Sequence, residues 1–95
     1  MEYEKEFIGK ITGMGMLGYD VQKIINILDI EDSENFKEEF SNEDSQIRIA
    51  YQRGLDKSDY ILDQKLYEQA KSGDIESIKL FEKRKIDRIC RNIND

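Results

Sequence analysis

The fold is decided by residues 66–78, which read Leu66-Tyr67-Glu68-Gln69-Ala70-Lys71-Ser72-Gly73-Asp74-Ile75-Glu76-Ser77-Ile78. Apolar residues at helical spacing end at Gly73, and glycine is the residue type that most often follows a helix C-terminus. Asp74 comes next, and its carboxylate is a good cap for the first backbone N–H groups of a new helix. The stretch therefore predicts two helices joined by a tight turn, which form a C-terminal helical hairpin.

The second helix of this hairpin is predicted from Ile75 to about Asn92. Its apolar residues recur at spacings of three and four, which is typical of a coiled-coil-like seam. The positions of this seam are Ile75, Ile78, Phe81 or Glu82, Ile86, Ile89 and Ile93. Between Lys79 and Arg91 there are six basic and two acidic residues, a net charge of +4, and this is the only basic patch of the sequence.

Upstream of the hairpin turn, apolar residues also follow one helical pattern. They are Ile47, Ala50 and Tyr51 before Gly54, and Leu55, Leu62, Leu66 and Ala70 after it. A Ser followed three residues later by an acid, Ser41 to Asp44, has the form of a capping box that opens this helix. Gly54 weakens the pattern, so the sequence predicts either one bent helix or two helices with a joint at this glycine.

Three shorter helices are predicted before it: Tyr3–Leu17, ended by Gly18; Val21–Leu28, capped by Asp20; and Glu34–Phe40, capped by Ser33. No segment alternates apolar and polar residues as a strand does. We therefore expect an all-α protein of five or six helices in one compact domain. Residues 1–54 form a helix–turn–helix-like N-terminal unit, and residues 55–95 form a C-terminal packing and oligomerisation unit.

The charge is unevenly distributed along the 95 residues, whose net charge is -6. Residues 1–47 hold 12 acids and 4 bases, whereas residues 48–95 hold 9 acids and 11 bases. An acidic chain is a poor general ligand for nucleic acid, because phosphate neutralisation needs clustered Lys and Arg, but a local basic contact stays open. The acidic start, Met1–Glu6, lacks the apolar core of a signal peptide, and no apolar run has membrane-spanning length, so we expect a cytoplasmic protein without a membrane partner.

No pattern of catalytic or metal-binding residues is present. The chain has no His and one Cys, Cys90, which disfavours zinc binding and excludes an intramolecular disulfide. The acids of residues 29–34 lack the Gly and Glu that a calcium loop needs at its sixth and twelfth positions. Residues 13–18 match G-x-G-x-x-G, but no strand precedes them, so a helix end and a turn is the preferred interpretation. We expect no enzyme activity, no cofactor and no metal.

The segment from Gly18 to Phe40 has the outline of a helix–turn–helix, two short helices with a short connector. Its second helix offers Asn35 and Lys37, but residues 31–44 contain seven acids and one base, which would repel phosphate. A plain three-helix packing unit is an equally good interpretation.

Two signatures, Ala50-Tyr51-Gln52-Arg53-Gly54 and residues 66–78, resemble the small terminase subunits of tailed bacteriophages and related phage-borne helix–turn–helix proteins. The similarity extends over residues 18–85, about two thirds of the chain. In that family an Ala-Tyr-x-x-Gly segment precedes a Leu-x-x-x-Ala-x-x-Gly-Asp segment. The resemblance implies a non-catalytic DNA-packaging component in the host cytoplasm. Such subunits assemble into homo-oligomeric rings, bind double-stranded viral DNA and regulate the large terminase subunit.

Under this hypothesis two sets of residues have a function. DNA would be contacted by the basic residues Lys10, Lys23, Lys37, Lys83, Arg84, Lys85, Arg88 and Arg91. Oligomerisation would use the apolar residues Leu62, Leu66, Ile78, Ile86, Ile89 and Ile93.

Three alternatives stay open. A dimeric phage or mobile-element transcriptional regulator would use the same helix–turn–helix unit. An acidic inhibitor would occupy the nucleic-acid groove of a host protein, and the charge of residues 1–47 favours it. The third alternative is a structural accessory protein.

Overall fold

The computed structural model describes residues 3–94, and it describes side chains as far as Asn92. These residues form five helices and no strand, so the predicted all-α class is confirmed. The helices are α1 (Lys5–Leu17), α2 (Val21–Leu28), α3 (Ser33–Ser41), α4 (Gln46–Lys71) and α5 (Ile75–Asn94). The chain divides into two compact units, unit 1 (Met1–Ser58) and unit 2 (Asp59–Asp95). The sequence pattern placed the boundary four residues earlier, after Gly54.

Aspartate side chains cap the N-termini of α2 and α3. The Asp20 carboxylate accepts a 2.8 Å hydrogen bond from the Lys23 backbone N–H, which confirms Asp20 as the cap of α2. The start of α3 differs by one residue from the prediction, because the Asp32 carboxylate accepts from the Asn35 N–H at 3.1 Å and Ser33 is already helical. An acid at this position also interacts favourably with the helix dipole, which explains why it displaces the serine.

The start of α4 corrects a second cap. Ser41, the expected first residue of a capping box, is the last residue of α3. Ser45 takes the capping position instead: its Oγ accepts a 3.0 Å hydrogen bond from the Arg48 N–H, and its hydroxyl donates to the carbonyl of Glu39. The helix therefore begins at Gln46, and residues 42–45 form the connector.

The alternative left open at Gly54 is resolved in favour of one helix, since α4 runs unbroken from Gln46 to Lys71. Gly54 is buried where α4 meets α1. A Cβ built on Gly54 would lie 2.1 Å from the Thr12 carbonyl oxygen, and one on Gly15 would lie 2.2 Å from the Tyr51 carbonyl oxygen. The two glycines thus let the backbones of α1 and α4 approach more closely than any side chain would allow.

This contact also explains two glycines of the G-x-G-x-x-G match. Gly15 is the contact residue, and Gly18 ends α1 in the left-handed conformation with φ 70°, where its N–H donates to the Gly15 carbonyl. A Cβ on Gly13 would meet nothing within 4 Å. The predicted helix end and turn is confirmed.

The core of unit 1 lies among its four helical segments. Its fully buried side chains are Ile11, Ile24 and Ile47, and Phe36, Ile25, Ala50 and Tyr51 complete it. The Tyr51 hydroxyl donates a 2.6 Å hydrogen bond to the Tyr19 carbonyl, which fixes the α1–α2 connector against α4. Near the chain start, the Tyr3 hydroxyl donates to Glu39, and burial together with this carboxylate raises the pKa of Tyr3 to about 12.

Candidate functional site

The turn of the predicted helical hairpin in unit 2 forms as the residues dictate. Gly73 adopts φ 97°, its N–H donates to the Ala70 carbonyl at 3.0 Å, and Asp74 precedes the first turn of α5. Ser77 is buried, with its Oγ 2.6 Å from Asp74 Oδ2 and 3.0 Å from Gln69 Oε1. These polar contacts close the hairpin, and Tyr67 packs against Phe81 with ring centroids 5.5 Å apart.

Further along the hairpin, the two helices meet through a cluster of charged residues. Arg84 Nε donates to Asp63 Oδ1 at 2.7 Å, and Arg88 Nη2 lies 2.8 Å from Asp63 Oδ2. Arg84 also reaches Asp59 at 3.6 Å. Burial alone would raise the pKa of Asp63, but the hydrogen bond and charge of Arg84, joined by Arg88, lower it below its usual value. The hydrogen bond with Asp63 in turn raises the pKa of Arg84.

The isoleucines of α5 lie on the opposite side of the helix. Two residues along an α-helix correspond to a rotation of about 200°. Ile75 stands two residues from Ser77, and Ile86 stands two residues from both Arg84 and Arg88, all of which contact α4. Ile78 and Ile89 directly follow Ser77 and Arg88, so they are rotated by about 100° from the hairpin contact. The isoleucine face, defined as Ile75, Ile78, Ile86 and Ile89, is therefore turned away from the hairpin partner. Its side chains are 64%, 39%, 54% and 47% exposed, respectively.

This distribution leaves unit 2 with little apolar burial of its own. Leu66, at 7% exposure, is the one hydrophobic side chain of the unit that is buried among the described residues. A row of exposed isoleucines on a small unit is typical of a surface that binds protein. Ion pairs thus join the helices, while isoleucines face outwards.

The structure distributes the predicted oligomerisation residues unequally. Leu62, Ile78, Ile86 and Ile89 are exposed, whereas Leu66 packs inside the hairpin, so its side chain is withdrawn from any subunit contact. The side chain of Ile93 lies outside the described residues. The pattern did not reveal that Ile61 is exposed too, at 46%, two residues from both Asp59 and Asp63 and thus on the side of α4 away from α5.

The predicted DNA-binding residues also separate into groups. Arg84 and Arg88 are engaged by Asp59 and Asp63, so they hold the hairpin together. The other six are exposed, and none forms an ion pair with another described side chain. They are Lys10 on α1, Lys23 on α2, Lys37 on α3, and Lys83, Lys85 and Arg91 on α5. Those of unit 1 thus lie on three different helices, whereas those of unit 2 share one.

The helix–turn–helix outline is present in unit 1, where α2 and α3 are joined by residues 29–32 and pack against each other. Asp29 ends α2 in the left-handed conformation, with φ 52°. Phe36 faces the core, and Glu34 and Glu38 are exposed one turn apart on the outer side of α3. The exposed face of the second helix is therefore acidic.

A second basic feature of unit 1 was not predicted from the sequence. The Arg48 guanidinium stacks over Phe40 and Tyr51, at 4.9 Å and 5.5 Å from the ring centroids. It lines a shallow groove on α4 together with Glu43, Ile49, Gln52, Arg53 and Asp56. No local sequence pattern indicates this stacking, because Phe40 and Arg48 come from different helices and meet only in the fold.

Within residues 3–94, no group of three or more Cys, Asp or Glu side chains is arranged to hold a metal ion. No helix of this described part of the chain combines the length and apolar character needed to cross a membrane. Comparison of the chain with protein-family models, curated proteins and solved structures finds no match.

Proposed function

We propose that this chain is a non-catalytic DNA-packaging subunit of the small-terminase type. In this proposal it self-assembles in the host cytoplasm, binds double-stranded viral DNA and regulates a large terminase subunit that supplies the catalysis. The observation that supports it most is the exposed isoleucine face of α5. The two-signature resemblance to the phage family supplies the biological setting.

The isoleucine face supports self-assembly on energetic grounds. From Ile75 to Ile89 it extends for about 21 Å along α5, since each residue adds about 1.5 Å. Burial of one Ile side chain contributes about 1.5–3 kcal/mol, so leaving four of them half exposed is unfavourable in an isolated hairpin. Small units of this kind usually gain the missing burial by association.

DNA binding is proposed for the exposed cations of α5. Lys83, Lys85 and Arg91 lie in the stretch with a net charge of +4, free of the ion pairs that hold Arg84 and Arg88. The bases of unit 1 are outnumbered by its acids, 7 against 13. Phosphate contacts on unit 2 are therefore favoured, and the acidic α3 is assigned no role in reading base edges.

Mass in solution is the first test, measured by light scattering on a sizing column at low and moderate salt. We expect a defined oligomer with a ring-sized subunit number at both salt concentrations. A duplex of about 30 base pairs should then shift to higher mass with the protein, less so as salt rises. A strict monomer would exclude the proposal in this form.

The acidic surface of unit 1 favours one rival function. Glu34 and Glu38 on α3 belong to a segment with seven acids and one base, which fits the basic groove of a nucleic-acid-binding host protein. This inhibitor would bind no DNA itself and would require no oligomer. A dimeric regulator, by contrast, would give a dimer mass and a preference for one palindromic duplex.

A further inference from the structure

Arg84 and Arg88 differ from the other bases of α5, because carboxylates of α4 already bind them. Asp63 accepts a hydrogen bond from Arg84 Nε at 2.7 Å and lies 2.8 Å from Arg88 Nη2. Asp59 lies 3.6 Å from Arg84. A guanidinium group binds carboxylate and phosphate through the same N–H groups. The two aspartates therefore compete with any phosphate for these arginines.

The two arginines belong to a row of three on one side of α5. Arg84, Arg88 and Arg91 are four and three residues apart, so they lie within about 60° of one another around the helix axis. Together with Asp59 and Asp87 they line a polar cavity of about 160 Å³, to which both helices contribute. Arg91 forms no ion pair with a described side chain. Two of the three positive charges in this row are thus neutralised within the chain.

The hairpin that holds this row depends mainly on polar contacts. Among the described residues, Leu66 is the one hydrophobic side chain that unit 2 buries, whereas the core of unit 1 contains seven. Because apolar burial is the main force that holds helices together, α5 is bound less firmly than the helices of unit 1.

The connector between the two helices can act as a hinge. It consists of residues 72–74, and Gly73 adopts φ 97° within it. Glycine accepts large changes of backbone angle without a steric cost, so a rotation of α5 at this turn strains no side chain. A short hinge and a contact made of ion pairs are together the parts of a releasable arm.

We propose that the hairpin is an autoinhibitory contact, in which two aspartates of α4 shield Arg84 and Arg88 until DNA displaces them. α5 then moves off α4 at residues 72–74, and the two arginines exchange carboxylate for phosphate. This exchange adds two phosphate contacts to those of the exposed bases. The inference rests on the DNA binding in the proposed function and specifies how that binding is regulated.

The substitution Asp63→Asn in the full-length chain tests the shielding. It preserves the shape of the side chain and removes the charge that holds both arginines. At low salt the variant should bind a duplex of about 30 base pairs about tenfold more tightly than wild type. The slope of log affinity against log salt should become steeper by about 0.9 for each released arginine that meets a phosphate. Fluorescence anisotropy measures both quantities, and light scattering checks that assembly is unchanged.

Three further variants separate released arginines from a general loss of negative charge. Asp87→Asn makes the same charge change beside the same arginines, but Asp87 pairs with none of them, so the slope should stay at its wild-type value. Asp63→Glu keeps a carboxylate opposite the arginines and should keep that slope as well. In the triple variant Asp63→Asn/Arg84→Gln/Arg88→Gln, the gain in affinity should disappear.

Hydrogen exchange measures the opening of the hairpin without DNA. Asp63→Asn should accelerate the exchange of the α5 amides, because the ion pairs that retain α5 are lost. The amides of α1 and α2 should exchange as slowly as in wild type. Circular dichroism shows whether the variant keeps its helices.

The opposite results overturn the inference at identifiable steps. If Asp63→Asn and Asp87→Asn raise the affinity equally and share one slope, the shielding is refuted, while the proposed DNA binding stands. A triple variant that keeps the gain shows that Arg84 and Arg88 are not the released residues. Unchanged exchange of α5 in Asp63→Asn shows that the hairpin does not open. If neither wild type nor Asp63→Asn binds the duplex, the proposed function fails together with this inference.

Discussion

Gly15 and Gly54 matter because of what surrounds them, not because of their backbone angles. Both are helical, and neither needs the left-handed conformation that Gly18 and Gly73 adopt. At either position, the Cβ of any other residue would overlap a backbone carbonyl group of the facing helix. Backbone atoms yield less readily than side chains, so the approach of α1 to α4 depends on these two positions.

Replacement of Gly54 by Ala should therefore destabilise the protein, although alanine is the better helix former. We expect a loss of about 1–3 kcal/mol in the free energy of unfolding, because the added methyl group would displace α1. Gly13→Ala is the control, since its Cβ would enter open space, and it should gain about 0.5–1 kcal/mol. Urea unfolding followed by circular dichroism measures both. Equal gains for the two variants would refute the close contact.

Asp63 determines the pH dependence of the hairpin. Its folded-state pKa is below the value of about 3.9 for an unfolded Asp, so its ion pairs stabilise the fold fully above that value. The stabilisation is lost as pH falls below about 4, through the folded-state pKa. Asp63→Asn should therefore lower the free energy of unfolding by about 1–2 kcal/mol at pH 7.

The measurement is the unfolding free energy of wild type and variant at pH 7 and pH 3, where the difference should shrink. Asp87→Asn serves as the control, since Asp87 is exposed and forms no ion pair with another described side chain. A difference that is the same at both pH values would show that the carboxylate charge is not involved.

At the scale of the elements, periodicity predicted all five helices, and residue chemistry predicted most of their ends. Gly18, Asp20 and Gly73 act as expected, because each role is local. Asp74 lies directly before α5 as expected, but its carboxylate contacts the Ser77 hydroxyl at 2.6 Å. Two caps were misplaced, each where two suitable polar residues compete within a few positions. Asp32 is preferred to Ser33, and Ser45 to Ser41; the extension of α3 to Ser41 decides the second case.

The two serines provide a test of the corrected cap. Ser45→Ala removes the acceptor of the Arg48 N–H and the donor to Glu39, and should cost about 0.5–2 kcal/mol of unfolding free energy. Ser41→Ala places a good helix former in the last turn of α3 and should change stability by less than about 0.5 kcal/mol. Thermal unfolding of both variants under one set of conditions distinguishes the two positions. A larger loss for Ser41→Ala would restore the capping box.

At the scale of the whole molecule, the sequence predicted the apolar seam of α5, but it did not predict whether this seam packs against α4 or is exposed. A seam at spacings of three and four is equally suited to a hairpin contact and to a subunit contact. The direction is set by Asp59, Asp63, Arg84 and Arg88, whose pairing is long-range and left no local signal. The same pairing withdraws Arg84 and Arg88 from the predicted DNA-binding set. Charge counts alone could not distinguish paired from unpaired bases.

The unpaired bases lead to a prediction about DNA. Replacement of Lys83, Lys85 and Arg91 by Gln should weaken duplex binding, and the slope of log affinity against log salt should become shallower by about 0.9 for each phosphate that the variant no longer neutralises. The matched variant with Gln at Lys10, Lys23 and Lys37 removes the same charge from unit 1 and should leave the slope nearly unchanged. Fluorescence anisotropy across a series of salt concentrations gives both slopes, and light scattering checks that assembly is intact. If the unit 1 variant alone loses binding, the DNA contact moves to unit 1. If the wild type shows no salt-dependent binding at all, the acidic inhibitor becomes the better explanation.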